Sequence, residues 1–105
     1  MKRVLSIAAG LALTLFLTAQ DANPHAFVPP NGFVPDSLTA VRVAVAIWTP
    51  IYGEKQIASE KPYHAELHGD VWTVTGQLPA GDVGGVAIAE ISKRDARILR
   101  VSHGR

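Results

Sequence analysis

The stretch that decides the fold runs from Lys61 to Leu78 and reads Lys-Pro-Tyr-His-Ala-Glu-Leu-His-Gly-Asp-Val-Trp-Thr-Val-Thr-Gly-Gln-Leu. Apolar and polar residues alternate on both sides of Gly69-Asp70, which predicts two strands joined by a tight turn. The apolar side of this predicted hairpin carries Tyr63, Ala65, Leu67, Trp72, Val74 and Leu78. An isolated hairpin is marginal in water, so another element must cover that side.

The segment upstream of the hairpin is predicted to be the helix that covers it. Pro35-Asp36 is typical of a helix start, and Gly53 follows the last apolar residue, where a left-handed C-terminal cap is expected. Pro50 lies inside the pattern and should bend or loosen the helix near Ala46, whose carbonyl has no donor. The apolar residues that recur three or four apart are Leu38, Val41, Ala44, Val45, Trp48, Ile51 and Tyr52.

Two more strands are predicted after the hairpin, over residues 86–93 and 98–102, joined by a polar turn at 94–97. The glycine-rich segment 79–85 is predicted to be a flexible loop. Residues 54–60 are predicted to be a polar connection in which Ile57 touches the core. The expected fold is therefore α+β, with an N-terminal amphipathic helix packed on a four-stranded antiparallel meander.

The first residues have the pattern of a secretory signal peptide, predicted over 1–19. A basic start precedes an uncharged, mostly apolar run from Val4 to Leu17, and small residues follow that would allow cleavage after Ala19 or Ala22. The apolar run is shorter than the roughly 20 residues of a transmembrane helix. We therefore expect a periplasmic or secreted protein with no membrane attachment after cleavage.

Residues 20–35 contain four prolines and are predicted to form a linker or an extended arm ahead of a domain spanning 36–105. Phe27, Val28, Phe33 and Val34 are the arm residues apolar enough to lie on the core.

Composition excludes several classes of function. Without Lys2 and Arg3, eight Lys and Arg residues remain against nine Asp and Glu residues, so the exported chain is close to neutral. A nucleic-acid partner is not expected, because the basic residues form one cluster around a single turn rather than an extended surface. The chain has no cysteine, so disulfide and thiolate chemistry are excluded.

The motif His64-x-Glu66-x-His68 is the strongest candidate for a metal site. Alternate residues of a strand share a face, and two imidazoles with a carboxylate could bind zinc. Side chains along a flat strand spread apart rather than converge, however, so we interpret this motif as the solvent side of the first hairpin strand. No metal or cofactor is predicted.

No catalytic residue is predicted, because none of the serines has a His or acid placed to activate it, and the inward-facing residues include no acid–base pair. The chain is therefore not expected to be an enzyme. Large aromatic side chains usually fill the core of a domain this small, and we expect that role for Trp48, Tyr52, Tyr63 and Trp72.

Several short motifs, in order, resemble those of the NTF2 fold immunity proteins of the YbbC/YhhH type. The resemblance covers about Gly32 to Arg105. Ala96 departs from it, since the family favours glycine there, and a longer or different last turn is expected in consequence. The motifs are Val34-Pro35-Asp36, Ile51-Tyr52-Gly53-Glu54, Lys61-Pro62-Tyr63, Val71-Trp72-Thr73-Val74-Thr75-Gly76, Gly84-Gly85-Val86 and Glu90-Ile91-Ser92-Lys93.

The resemblance implies a short NTF2-like or cystatin-like domain that protects a bacterium by binding and blocking a toxin made by itself or its kin. Combined with the predicted signal peptide, it suggests a toxin that acts in the periplasm. An exported ligand-binding module or enzyme with a pocket between helix and sheet is the alternative, and a homodimer is compatible with both. The predicted toxin-contacting surface is the Gly81–Gly85 loop together with His64, Glu66, His68, Thr73 and Thr75.

Overall fold

The computed structural model describes residues 25–104, so the predicted signal segment 1–19 lies outside the described residues. A helix is followed by a short second helix and an antiparallel sheet with strand order β1-β2-β3-β4, which confirms the predicted helix-on-meander architecture. Within residues 25–104 no helix is long and apolar enough to cross a bilayer. The elements are α1 (Ser37–Tyr52), α2 (Glu54–Ala58), β1 (His64–His68), β2 (Val71–Thr75), β3 (Ala87–Ser92) and β4 (Ile98–His103).

Helix α1 begins and ends at the predicted residues. The Asp36 carboxylate accepts hydrogen bonds from the Thr39 backbone N–H (2.8 Å) and hydroxyl (2.6 Å), which satisfies a free donor of the first turn. Gly53 has a φ of 95° but a ψ of 145°, which is outside the left-handed helical region, and its N–H donates to the Thr49 carbonyl. The helix continues through Pro50 to Tyr52.

The face of α1 that meets the sheet is rotated from the predicted stripe. Ala40, Ala44 and Trp48 are completely buried, whereas the predicted core residues Leu38 and Ile51 are 57% and 56% exposed. Trp48 fixes this rotation, since its indole N–H donates to a backbone carbonyl of β3, and the two alanines let the helix approach the sheet closely. The prediction was wrong for Leu38 and Ile51 because periodicity does not show which small residues lie at the closest contact.

The segment predicted to be a polar connection contains α2 and a buried carboxylate. Ile57 is buried, as predicted, and its carbonyl accepts a hydrogen bond from the Tyr63 hydroxyl (2.7 Å). Glu60 is 1% exposed although its sequence neighbours are polar. The prediction of a polar connection therefore missed the burial of Glu60.

The hairpin forms in the predicted register, with His68 opposite Val71 across Gly69-Asp70. Gly69 has a φ of 61°, a conformation that glycine adopts without strain at the first position of a two-residue hairpin turn. Trp72 and Val74 are buried as expected, but Leu67 is 42% exposed because β1 is an edge strand. Leu78 lies beyond the end of β2 and is half-buried.

Within residues 25–35 of the proline-rich arm, Val34 is the residue buried in the core. Val34 is buried, its N–H donates to the Lys93 carbonyl (3.0 Å), and its carbonyl accepts from the Trp72 indole (2.7 Å). Phe27, Val28 and Phe33 are at least half exposed, so core packing of the arm is confirmed for Val34 and is wrong for these three residues.

Ala96, in the β3–β4 turn, has a left-handed backbone conformation. The resemblance had suggested a longer or different turn that avoids this conformation. Ala96 has a φ of 65°, its N–H donates to the Ser92 carbonyl (3.0 Å), and the next residue's N–H donates to the Asp95 carboxylate (3.0 Å). These hydrogen bonds close the turn and hold alanine in a conformation that favours glycine.

We therefore expect Ala96→Gly to raise the free energy of unfolding by about 0.5–1 kcal/mol, because glycine relieves the strain at positive φ. Urea denaturation checks this. The matched change Ala46→Gly, at an exposed site inside α1, should lower the same free energy by about 1 kcal/mol. Destabilisation by both changes would show that the Ala96 conformation carries no strain.

Candidate functional site

The sheet has one face covered by α1 and one face open to solvent, and the register defines the open face as three rows of side chains. The first row is His64, Thr75, Ile88 and Ser102; the second is Glu66, Thr73, Glu90 and Arg100; the third is His68, Val71 and Ser92. We call these residues the outer face. All five side chains predicted to contact a toxin lie on it.

Polar pairs join neighbouring positions of the outer face. Arg100 bonds both Glu90 (3.1 Å) and Ser102 (3.1 Å) on the last two strands. On β1, the His68 imidazole lies 3.2 Å from Glu66, and both side chains are mostly exposed. Exposed pairs of this kind contribute little to stability, so these side chains are available for contacts with a partner.

The two histidines of the candidate metal motif have different partners. His64 Nε2 lies 3.0 Å from the Gln77 side-chain oxygen, at the opposite end of β1 from the His68–Glu66 pair. Among residues 25–104, no group of three or more His, Asp or Glu side chains could hold one metal ion.

A buried carboxylate lies at the junction of α2 with the ends of three strands. Glu60 Oε1 accepts the Ala87 backbone N–H (2.7 Å), and Oε2 accepts the Gln56 amide (2.9 Å). His103 Nε2 also lies 2.7 Å from Oε2, and the side chain of His103 is 23% exposed. The prediction that the inward-facing residues include no acid–base pair was therefore wrong.

The two ring nitrogens of His103 both face acceptors. Nδ1 lies 3.0 Å from the Gly104 carbonyl, which accepts only, and Nε2 faces the carboxylate. When His103 is protonated, both nitrogens donate, one to the Gly104 carbonyl and one to the ionised carboxylate. The hydrogen bond to Glu60 raises the pKa of His103 above its ordinary 6.5, against the opposing effect of burial.

Glu60 stays ionised although it is buried. Burial acts to raise its pKa, but the hydrogen bonds from Ala87, Gln56 and His103 together outweigh it and hold the pKa below the ordinary 4.5. Gly76 leaves the space that this carboxylate fills, since a Cβ at that position would collide with the Glu60 side chain.

One signal in the sequence could have found this pair. Residues two apart in a strand share a face, and Val101 of β4 packs on the core. His103, two residues later, must therefore lie on the covered face as well. A histidine there needs a buried partner. Nothing in the periodicity of residues 54–60 identifies Glu60 as that partner.

A cleft of about 360 Å³ lies beside this pair. Its walls come from α2, the 78–85 loop and the end of β4, and they include Ser59, Glu60, Asp82 and His103. The Glu60 oxygens are bonded within the chain, so the ionisable groups that face the cleft with exposed surface are Asp82 and His103.

We expect Glu60→Ala to lower the free energy of unfolding by about 3–5 kcal/mol, because it leaves the Ala87 N–H and the His103 imidazolium without their buried acceptor. Glu60→Gln, which keeps the shape but not the charge, should cost about 1–3 kcal/mol. Urea denaturation measures both, and Glu66→Ala, at an exposed pair, should change stability by less than about 1 kcal/mol. Equal effects of Glu60→Gln and Glu66→Ala would contradict a stabilising role for the buried charge.

The same pair predicts a stability maximum between pH 4.5 and 6.5. The Glu60 pKa is lowered, so its contribution is present above 4.5 and is lost as the pH falls through the folded value. The His103 pKa is raised, so its contribution is complete below 6.5 and is lost as the pH rises through the folded value. We expect His103→Gln to flatten the decline of the free energy of unfolding above pH 6.5, measured by urea denaturation. The exposed change His68→Gln should leave that decline in place. An unchanged decline in His103→Gln would contradict the assignment of the decline to His103.

Comparison with known proteins gives one family and one relative. The family model described as NTF2 fold immunity protein matches residues 39–105. The chain is 40% identical over 55 residues to the uncharacterized protein YhhH of Escherichia coli (strain K12), a match that spans 51% of this chain and 43% of that protein. No solved structure matches. With a family match over more than half of its length, a helix-on-meander fold and an open outer face, this chain belongs to the NTF2 fold immunity proteins.

Proposed function

We propose that this protein confers immunity by binding a cognate bacterial toxin in the periplasm and blocking it sterically, with no chemistry of its own. The match of residues 39–105 to the immunity family is the observation that carries the proposal. The export expected from residues 1–19 supports a toxin that acts outside the inner membrane. Steric blockade fits the bonded state of Glu60, whose oxygens are engaged within the chain and are not available to a substrate.

The outer face is the surface we assign to the toxin. Most of its side chains are polar, with His64, Glu66 and His68 exposed on β1, and half-buried Val71 and Ile88 lie on the central strands in the two end rows. The middle row is polar throughout, so a partner would meet polar side chains at the centre of this face. Because α1 covers the other face, contacts made on the outer face do not disturb the core.

The size of the outer face indicates that the toxin contacts more than the strands. The width of the outer face is set by four strands about 4.8 Å apart, and its length by about five residues of about 3.3 Å each. The projected area is therefore about 300 Å². A stable interface buries about 800 Å² per partner, so neighbouring segments must contribute. The Gly81–Gly85 loop leads into the same end of the sheet as the His64 row and carries Val83, which is 95% exposed.

A ligand-binding role is the second candidate, and the cleft beside His103 is the observation that favours it. This cleft is open and bordered by a buried carboxylate, the feature expected of a ligand-binding or catalytic relative rather than of an inhibitor. The cleft shares the 78–85 loop with the proposed toxin surface but none of the strand residues of the outer face, so variants of those strand residues distinguish the two roles.

We expect Thr73→Arg to weaken toxin binding by at least about 100-fold, because a long side chain at the centre of the outer face prevents close approach of the partner. Thr73 lies between Glu66 and Glu90, which can accept the new guanidinium without disturbing the fold. The whole gene is co-expressed with its genomic neighbours, and growth rescue and complex formation are measured.

Ala46→Arg is the matched control, since it places the same side chain on the exposed side of α1 and should leave rescue unchanged. Failure of the wild-type protein to rescue growth against any of the neighbouring genes would overturn the immunity proposal. Rescue that survives Thr73→Arg would exclude the outer face and direct the search to the cleft.

A further inference from the structure

The two edges of the sheet are not alike. Strand β4 contains Arg100, and its pairing with β3 has a register shift between Glu90 and Ile91. Charged side chains and irregular pairing both protect an edge strand against further pairing. Strand β1 is less protected: its register with β2 is continuous, and its five residues include the Glu66 carboxylate but no proline, lysine or arginine.

The backbone of β1 has its free groups at two positions. The backbone groups of successive residues in a strand point to opposite neighbours, and the Gly76 N–H donates to Ala87 of β3. The even-numbered residues of β2 therefore bond β3, and the odd-numbered residues bond β1. His64, Glu66 and His68 are opposite those odd-numbered residues and therefore use their backbone groups on β2. The N–H and carbonyl groups of Ala65 and Leu67 point to the open edge.

An apolar groove follows this edge on the covered side of the sheet. It has a volume of about 380 Å³ and is bordered by Leu38, Val41, Tyr63 and Ala65. Leu38 is 57% exposed, and Leu67, farther along the edge, is 42% exposed. The edge thus combines free hydrogen-bonding groups with exposed apolar surface, the two features that strand addition uses.

The side chains of β1 are complementary to a second copy of the same strand. If two β1 strands pair antiparallel about a twofold axis at Ala65, His64 of each copy faces Glu66 of the other on the outer side. On the covered side, Leu67 faces the other copy's Tyr63, beside the apolar groove. The small Ala65 side chains meet at the axis, where the backbone N–H and carbonyl groups of the two Ala65 residues bond each other.

Other registers fit less well. An axis between Ala65 and Leu67 would place the two Glu66 carboxylates opposite each other, which is unfavourable. An axis at Leu67 would continue the pairing beyond the end of β1, into Gly69 and Asp70 of the hairpin turn. The Ala65 axis instead places His64 opposite a carboxylate that lies within the strand itself, that of Glu66.

We propose that the protein forms a twofold homodimer in which two β1 strands pair at Ala65, joining the two sheets into one of eight strands. The immunity proposal does not depend on this dimer, because most of the outer face stays open in it. The dimer instead presents two copies of that face on one continuous sheet.

Sedimentation equilibrium of the protein purified after expression of the whole gene tests this over about 10 µM to about 1 mM, the range for a weak to moderate homodimer. We expect a dimer, and we expect His64→Glu to raise its dissociation constant at least about tenfold by opposing two carboxylates across the axis. Combining His64→Glu with Glu66→His exchanges the two partners and should restore association to within about threefold of the wild type.

Ser102→Glu is the control, since it adds a carboxylate to the same row of the outer face on β4, at the far edge of the sheet, and it should leave dimerisation within about twofold of the wild type. Hydrogen exchange gives an independent readout: the Ala65 and Leu67 amides should exchange more slowly at high protein concentration, while Glu66, already bonded to β2, should not change.

A wild type that remains monomeric throughout the range would overturn the dimer, as would equal effects of His64→Glu and Ser102→Glu or no recovery in the double variant. Protection of the Ala65 and Leu67 amides only in a complex with a neighbouring gene product would assign this edge to the toxin and would also overturn it.

Discussion

The structure depends on one buried carboxylate and on the requirement that its charge be satisfied. Glu60 joins α2 through Gln56, the start of β3 through Ala87 and the end of β4 through His103, while its own carbonyl accepts the Gln77 N–H beyond β2. A buried ion that loses a partner is strongly destabilising, so these element ends must assemble together. The hydrophobic core supplies most of the favourable free energy, and Glu60 links the ends of these elements to one another.

This arrangement separates stability from recognition. The covered face of the sheet contains the buried tryptophans, the alanine row of α1 and the Glu60–His103 pair. The outer face contains exposed side chains in weak polar pairs. Substitutions on the outer face therefore meet few packing constraints.

Much of the fold followed from sequence patterns because those patterns reflect local geometry. Alternation gave the strands and their register, and the Asp36 and Gly53 signals gave the ends of α1. The rotation of α1 could not be read in this way, because it depends on how close the Ala40–Ala44 row comes to the sheet. The exposure of Leu67 was missed for a related reason, since alternation does not distinguish an edge strand from a central one.

The outer face was predictable in part and the buried pair was not. His64, Glu66 and His68 alternate along one strand, so their shared face follows from strand geometry alone. Glu60 and His103 are separated by 43 residues, and their contact depends on where β4 ends relative to α2. A single sequence gives little information about long-range pairs of this kind. Here the one signal is that His103 lies two residues after core-facing Val101 on the same strand.

The anchoring of Val34 beneath the Trp72 indole has a consequence for the boundary of the folded unit. The family match begins at Thr39, after both the Asp36 cap and the Val34 anchor. A fragment cut at the start of that match would leave the indole N–H without its acceptor and the first turn of α1 without its cap. An independently folding segment must therefore begin upstream of Val34, within the proline-rich arm.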